Sequence, residues 1–183
     1  MAEVQRYHAF VIILHWLMAL CFILMLASGI AMEEFITDKS LKFKMFQWHK
    51  SVGVLLLISF SFRVLARFMF KVPKLPKEFS KKDQRLAHFG HLALYFFMVA
   101  LPLSGWVMVS SSVFGLPTVV FDIFTWPHVP GIAGNEGING FSRGGHKYMG
   151  YAFIAMIVLH IAAVVLHLKK EKINLLKRMS FRG

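Results

Sequence analysis

The chain has 183 residues, 57% of them apolar and nineteen of them phenylalanine, which excludes an ordinary soluble domain and leaves a small integral membrane protein. A formal net charge of +12 raises nucleic acid as a partner, but nothing aromatic interleaves the basic runs in a nucleic-acid-like way, and the charges fall where membrane topology would put them. Cys21 is the one cysteine, so an intrachain disulfide and a thiolate metal site are excluded too.

The first apolar segment, roughly 9–32, follows Arg6 and runs through Ala31 and Met32 before Glu33 and Glu34. The apolar region of a signal peptide covers only about 7 to 15 residues, so this segment is read as a retained spanning helix. The second segment, roughly 47–68, leads into a polar connection broken by Pro73 and Pro76, a linker rather than a domain. The third covers roughly 86–109. A long connection, roughly 110–146, follows, with Phe114, Phe121, Phe124 and Trp126 among prolines and glycines; such a loop can lie at the interface as a lid. The fourth segment covers roughly 147–168. Each is long enough to cross about 30 Å of hydrocarbon. The expected fold class is therefore all-α, an integral membrane four-helix bundle forming a single domain over residues 1–183.

The basic residues cluster on one side of that topology. Arg63, Arg67, Lys71, Lys74, Lys77, Lys81, Lys82 and Arg85 lie at and between the second and third segments; Lys169, Lys170, Lys172, Lys177, Arg178 and Arg182 follow the fourth. The positive-inside rule then places the N and C termini and the middle connection in the cytoplasm. Membrane lipid headgroups are the natural partners of these charges.

Topology turns the histidines into depths. His146 and His160 share the fourth helix, fourteen residues apart, an interval that falls about 40° short of four turns and rises about 21 Å. One lies near each membrane surface. His49 opens the second helix on the outer side; His15 lies about two turns into the first, on the inner side. Two bis-imidazole sites result, His49 with His146 and His15 with His160. Ionisable groups within spans are functional-site hypotheses by default, and helix-bridging histidine hydrogen bonds, at about 0.6 kcal/mol on average, give little reason to pair four of them by depth. Heme iron with two axial imidazoles has no open position, which favours electron transfer over oxygen binding.

Gly53 and Gly150 each follow a histidine by four residues and leave a gap one turn along the same face, where a flat porphyrin could lie. Small residues also let helices approach closely, so the glycines alone do not decide. Arg63 follows His49 by fourteen residues and should face the inner site, to meet a heme propionate or to snorkel to the headgroups. His91 reaches a depth close to that of His15, and geometry alone keeps it in play as inner ligand. His88, His91 and His167 stand where protons for a cytoplasmic reduction could be delivered.

These residues resemble the bacterial cytochrome b561 family. The likeness rests on HW at 15–16, HKSVG at 49–53, SFRVLARF at 61–68, LAHFGHLALYFFMVALPLSGWVM at 86–108, HKYMGY at 146–151, LH at 159–160 and LLKRM in the basic tail. It implies two b-type hemes per chain, with His15 and His160 on the inner iron and His49 and His146 on the outer iron. It also implies a multi-pass protein of the bacterial inner membrane, an electron carrier or oxidoreductase, with superoxide oxidation by ubiquinone as one associated activity. Other members resemble cytochrome b subunits serving a separate periplasmic redox partner. Where relatives often carry glutamate, Lys147 follows His146 here; with Arg143, Lys39, Lys42, Lys44 and Lys50 it could form an electropositive outer funnel, offset by Glu33, Glu34 and Asp38. A heme-free transporter or assembly factor is the remaining alternative, disfavoured by the lack of acidic residues inside the spans.

Overall fold

The computed structural model describes residues 5–73, 79–170 and 174–181. Lys74, Pro76, Lys77, Lys172 and Arg182 lie outside them. Among the described residues four helices are long and apolar enough to cross a membrane. They are α1 (Ala9–Ile30), continued by a π-helical turn over Ala31–Phe35, α2 (Lys39–Met69), α3 (Lys81–Ser110) and α4 (Glu136–Lys170).

Three helices begin earlier than hydropathy indicates, α3 by five residues and α2 and α4 by more. The Asp38 carboxylate accepts from Leu41 N at 2.7 Å, and Asn135 Oδ1 accepts from Ile138 N at 3.0 Å. These caps satisfy amides that the start of a helix leaves open, so α2 and α4 each gain about two to three polar turns. His49 and His146 consequently lie well inside their helices rather than opening them. The polar turns stand beyond the apolar stretch, where hydropathy gives no signal.

Consecutive helices pack on one another, α1 on α2, α2 on α3 and α3 on α4. At one end, Tyr7 N donates to Arg178 O (3.1 Å) and Trp16 Nε1 to Met179 O (2.7 Å), while Arg178 reaches Pro73 O (2.6 Å). Both terminal segments and the α2–α3 connection thus share this basic end. The opposite end carries a hairpin of β1 (Thr118–Val120) and β2 (Phe124–Trp126), paired antiparallel with Thr118 opposite Trp126. Its turn forces positive φ on Phe121 (48°) and Asp122 (59°), a region that side chains other than glycine resist. Ser51 of α2 pins that turn: its hydroxyl hydrogen is shared between Gln47 O (3.0 Å) and Val119 O (3.1 Å), and its Oγ accepts from Phe121 N (3.2 Å). Lys50 Nζ donates to Pro117 O at 2.7 Å. Part of the long connection is therefore a hairpin docked on α2.

Residues seven apart on a helix drift only about 20° around it, and the four helices share one seven-residue register. Toward the basic end stand His15, Arg63, His91 and His160; midway, Phe22, Leu56, Met98 and Phe153; toward the hairpin end, Gly29, His49, Gly105 and His146. The four middle residues belong to one buried cluster with Leu14, Met18 and Leu101. Within it Phe153 meets Phe22 edge-on (5.1 Å between ring centres) and stacks on Phe97 (5.7 Å, 22°). Leu20, Leu24, Phe62, Phe96 and Leu159 are more than half exposed, as side chains that face lipid would be.

Candidate functional site

At the hairpin end, His49 of α2 and His146 of α4 face each other with ring centres 6.2 Å apart and planes at 74°. His49 Nδ1 lies 3.1 Å from Ser28 Oγ. His146 Nδ1 lies 3.0 Å from Ser104 Oγ and 3.1 Å from the Leu101 carbonyl. Each ring also abuts a glycine: a Cβ on Gly29 would sit 3.7 Å from His49 Cε1, and one on Gly105 only 3.1 Å from His146 Cε1. With Nδ1 engaged on both rings, Nε2 is the nitrogen each has to offer.

At the basic end, His91 and His160 stand with ring centres 5.7 Å apart and planes at 70°. Arg63 Nη2 lies 3.3 Å from His15 Nδ1, and its guanidinium lies over the Tyr95 ring at 5.5 Å. Arg63 Nε is buried without a hydrogen-bond partner. The structure therefore brings together the expected His15, His160 and Arg63 with the alternative His91, and adds Tyr95. His160 has His91 as its ring neighbour, while His15 is held by Arg63.

The arrangement suits heme. At the hairpin end the two ring centres stand 6.2 Å apart, so both imidazoles could hold one group between them. Among the described residues no three His, Cys, Asp or Glu side chains converge as they would around a bare metal ion. The orphaned Arg63 Nε is a buried donor awaiting an acceptor such as a carboxylate. His49 and His146, and at the basic end His160 with His15 or His91, are the residues that would hold such a group.

Gly53 and Gly150 both look toward α1: a Cβ would lie 3.8 Å from Met25 Cε at the first and 3.9 Å from Leu26 Cδ2 at the second. Two glycines on different helices thus open toward consecutive residues of α1. The glycines that touch the histidine rings are Gly29 and Gly105, which sequence reasoning passed over. Their signal was present as two Ser-Gly dipeptides, 28–29 and 104–105.

The outer funnel is weaker than its charges suggest. Lys147 Nζ pairs with Glu33 (3.3 Å) and Glu34 (3.6 Å), and Lys50 is buried against the hairpin. Lys39, Lys42, Lys44 and Arg143 remain exposed. Elsewhere, His8 stacks on Phe70 at 3.9 Å and His167 packs on Phe79 at 4.5 Å. His88 lines a basic-end groove of about 520 Å³ with Lys81, Gln84, Arg85 and Phe89.

Comparison with known proteins gives the chain a family. The family model described as prokaryotic cytochrome b561 matches residues 6–182. Cytochrome b561 homolog 2 of Escherichia coli (strain K12) is 29% identical over 176 residues, covering 96% of this chain and 91% of the relative. The probable superoxide oxidase CybB of Yersinia pestis is 27% identical over 175 residues, covering 96% of each.

Proposed function

This chain belongs to the prokaryotic cytochrome b561 family, a multi-pass membrane cytochrome in which heme b and electron transport come with the family, and from that premise we propose that it carries single electrons between two b-type hemes. The supporting observation is the pair of imidazole clusters, one toward each end, on either side of the apolar level of Phe22, Leu56, Met98 and Phe153. His49 and His146 hold the outer heme; His15 and His160 hold the inner one, with Arg63 beside it. Gly53 and Gly150 leave room beside the outer group. When bound, heme accepts and donates one electron at a time, and its potential follows from ligands, burial and nearby charge.

In this reading the basic end faces the cytoplasm of the bacterial inner membrane, and electrons enter at the hairpin end. Superoxide is the donor and ubiquinone the acceptor. Two superoxide anions each release one electron and become dioxygen; ubiquinone takes up both electrons and two protons to become ubiquinol. The exposed cations Lys39, Lys42, Lys44 and Arg143 draw the anion toward the outer site. His88, His91 or His167 delivers protons at the cytoplasmic side; unchanged quinone turnover in a His88→Ala/His91→Ala variant would sink the assignment to the first two.

A dithionite-reduced minus oxidised spectrum of detergent-purified protein, with heme quantified per chain, tests the frame. About two hemes per chain, falling toward one in His146→Ala, supports it; a colourless protein expressed with ample heme overturns it and leaves the transporter or assembly-factor alternative. Superoxide and ubiquinone added to the purified protein then test the reaction. A second reading, a cytochrome subunit serving a periplasmic redox partner, draws on Phe114, Ile123, Phe141 and Tyr148, each more than 70% exposed. Heme reduction by superoxide without any added protein favours the enzyme.

A further inference from the structure

The two hairpin-end histidines are held by the same device twice. Ser28 and Gly29 of α1 serve His49 of α2; Ser104 and Gly105 of α3 serve His146 of α4. In both, the serine hydroxyl lies against Nδ1 and the glycine against Cε1 of the same ring. The glycine gives up a side chain so that the helix carrying the serine can approach.

The neighbouring carbonyls favour one direction for these hydrogen bonds. A hydroxyl has one hydrogen. Ser28 donates its own to Met25 O at 2.9 Å, and Ser104 donates to Leu101 O at 2.7 Å. With its hydrogen on that carbonyl, each Oγ turns lone pairs toward the imidazole, and Nδ1 is then the donor. At His146 the Leu101 carbonyl, 3.1 Å from Nδ1, can only accept, and reaches the same result independently. In this arrangement both rings carry hydrogen on Nδ1 and a lone pair on Nε2. The serine dipoles also orient the rings and, by drawing on the N–H, make Nε2 a stronger donor.

We propose that Ser28 and Ser104 are positioning residues that fix the tautomer and the electron-donating strength of His49 and His146 as axial ligands of the outer heme. The inference rests on the di-heme reading above. Its asymmetry is specific to this structure: Ser28 is the hydrogen-bond acceptor at His49, whereas His146 keeps the Leu101 carbonyl if Ser104 is lost.

The test is a spectroelectrochemical titration of purified heme-loaded protein, wild type against Ser28→Ala, Ser104→Ala and Ser28→Thr, with heme per chain measured in parallel. The outer heme is taken as the one whose signal disappears in His146→Ala. Ser28→Ala should raise the outer midpoint potential, because a weaker ligand stabilises the ferric state less, and should weaken outer-heme retention by about 10-fold or more. Ser104→Ala should shift the same potential less. Ser28→Thr, whose hydroxyl can make the same bonds, should restore the wild-type value. Full heme and unchanged potentials in Ser28→Ala overturn the proposal while leaving the di-heme reading intact. A wild-type chain with no outer heme overturns both.

Discussion

Arg63 Nη2 stands 3.3 Å from His15 Nδ1, and because a guanidinium only donates, that ring nitrogen carries the lone pair. The orientation is opposite to that of His49 and His146. For His15 to bind iron through Nε2, its Nδ1 must take up the hydrogen and Arg63 must turn away. Arg63 Nε already lacks a partner, and a heme propionate would supply one. Arg63→Ala is therefore expected to weaken the inner heme by about 1.5–3 kcal/mol, the range for hydrogen bonds to charged groups, with Arg63→Lys intermediate. Heme per chain should fall toward one while the outer spectrum persists. A full complement in Arg63→Ala assigns the guanidinium to another acceptor.

His91 lies closer to His160 than the depth argument required, with ring centres 5.7 Å apart. If His15 is the inner ligand, His15→Ala and His160→Ala should each lose the inner heme and His91→Ala should keep both. The reciprocal pattern, heme lost in His91→Ala and kept in His15→Ala, makes α3 rather than α1 the source of the ligand. Quantified heme in the three purified variants decides between them.

Gly53 and Gly150 tolerate a methyl group as far as protein neighbours are concerned, since their nearest contacts are the flexible ends of Met25 and Leu26. Gly53→Ala and Gly150→Ala should therefore express and fold as wild type, while Gly53→Leu and Gly150→Leu should lose outer heme with helical content unchanged by circular dichroism. Full heme in both leucine variants would reduce these glycines to helix-packing residues.

Ser51 is 2% exposed and couples the strained hairpin turn to α2 through Val119 and Phe121. Ser51→Ala leaves the Phe121 amide without that acceptor, a loss of about 1–3 kcal/mol for a buried donor. Limited proteolysis should then cut faster within 118–126 while the heme spectrum stays in place. Cleavage at the wild-type rate would show that Lys50 holds the hairpin without help.

The four spans and the sorting of histidines by level were legible because both depend on one helix at a time. Hydropathy reports burial in lipid, and a fourteen-residue interval such as His146 to His160 survives any packing arrangement. The polar first turns of α2 and α4 were missed because Asp38 and Asn135 extend the helices where hydropathy falls silent. Ser28, Gly29, Ser104 and Gly105 were illegible for a different reason. Their importance lies in which face of α1 meets α2 and which face of α3 meets α4, and a single sequence carries no inter-helix register. The pairing of Lys147 with Glu33 and Glu34 likewise joins the π-helical turn Ala31–Phe35 to α4, a contact between helices that one sequence does not register.

Phe22, Leu56, Met98 and Phe153 offer no proton to a hydrogen-bonded relay, so in the di-heme reading this apolar level would separate electron traffic from proton traffic. An electron passing inward would travel unaccompanied and shift one negative charge across part of the membrane. At about 2.3 kcal/mol per full charge per 100 mV, an inside-negative potential opposes that movement. In proteoliposomes, ubiquinol formation from external superoxide should slow when such a potential is imposed and recover when it is collapsed, tying the rate of the reaction to the energetic state of the membrane.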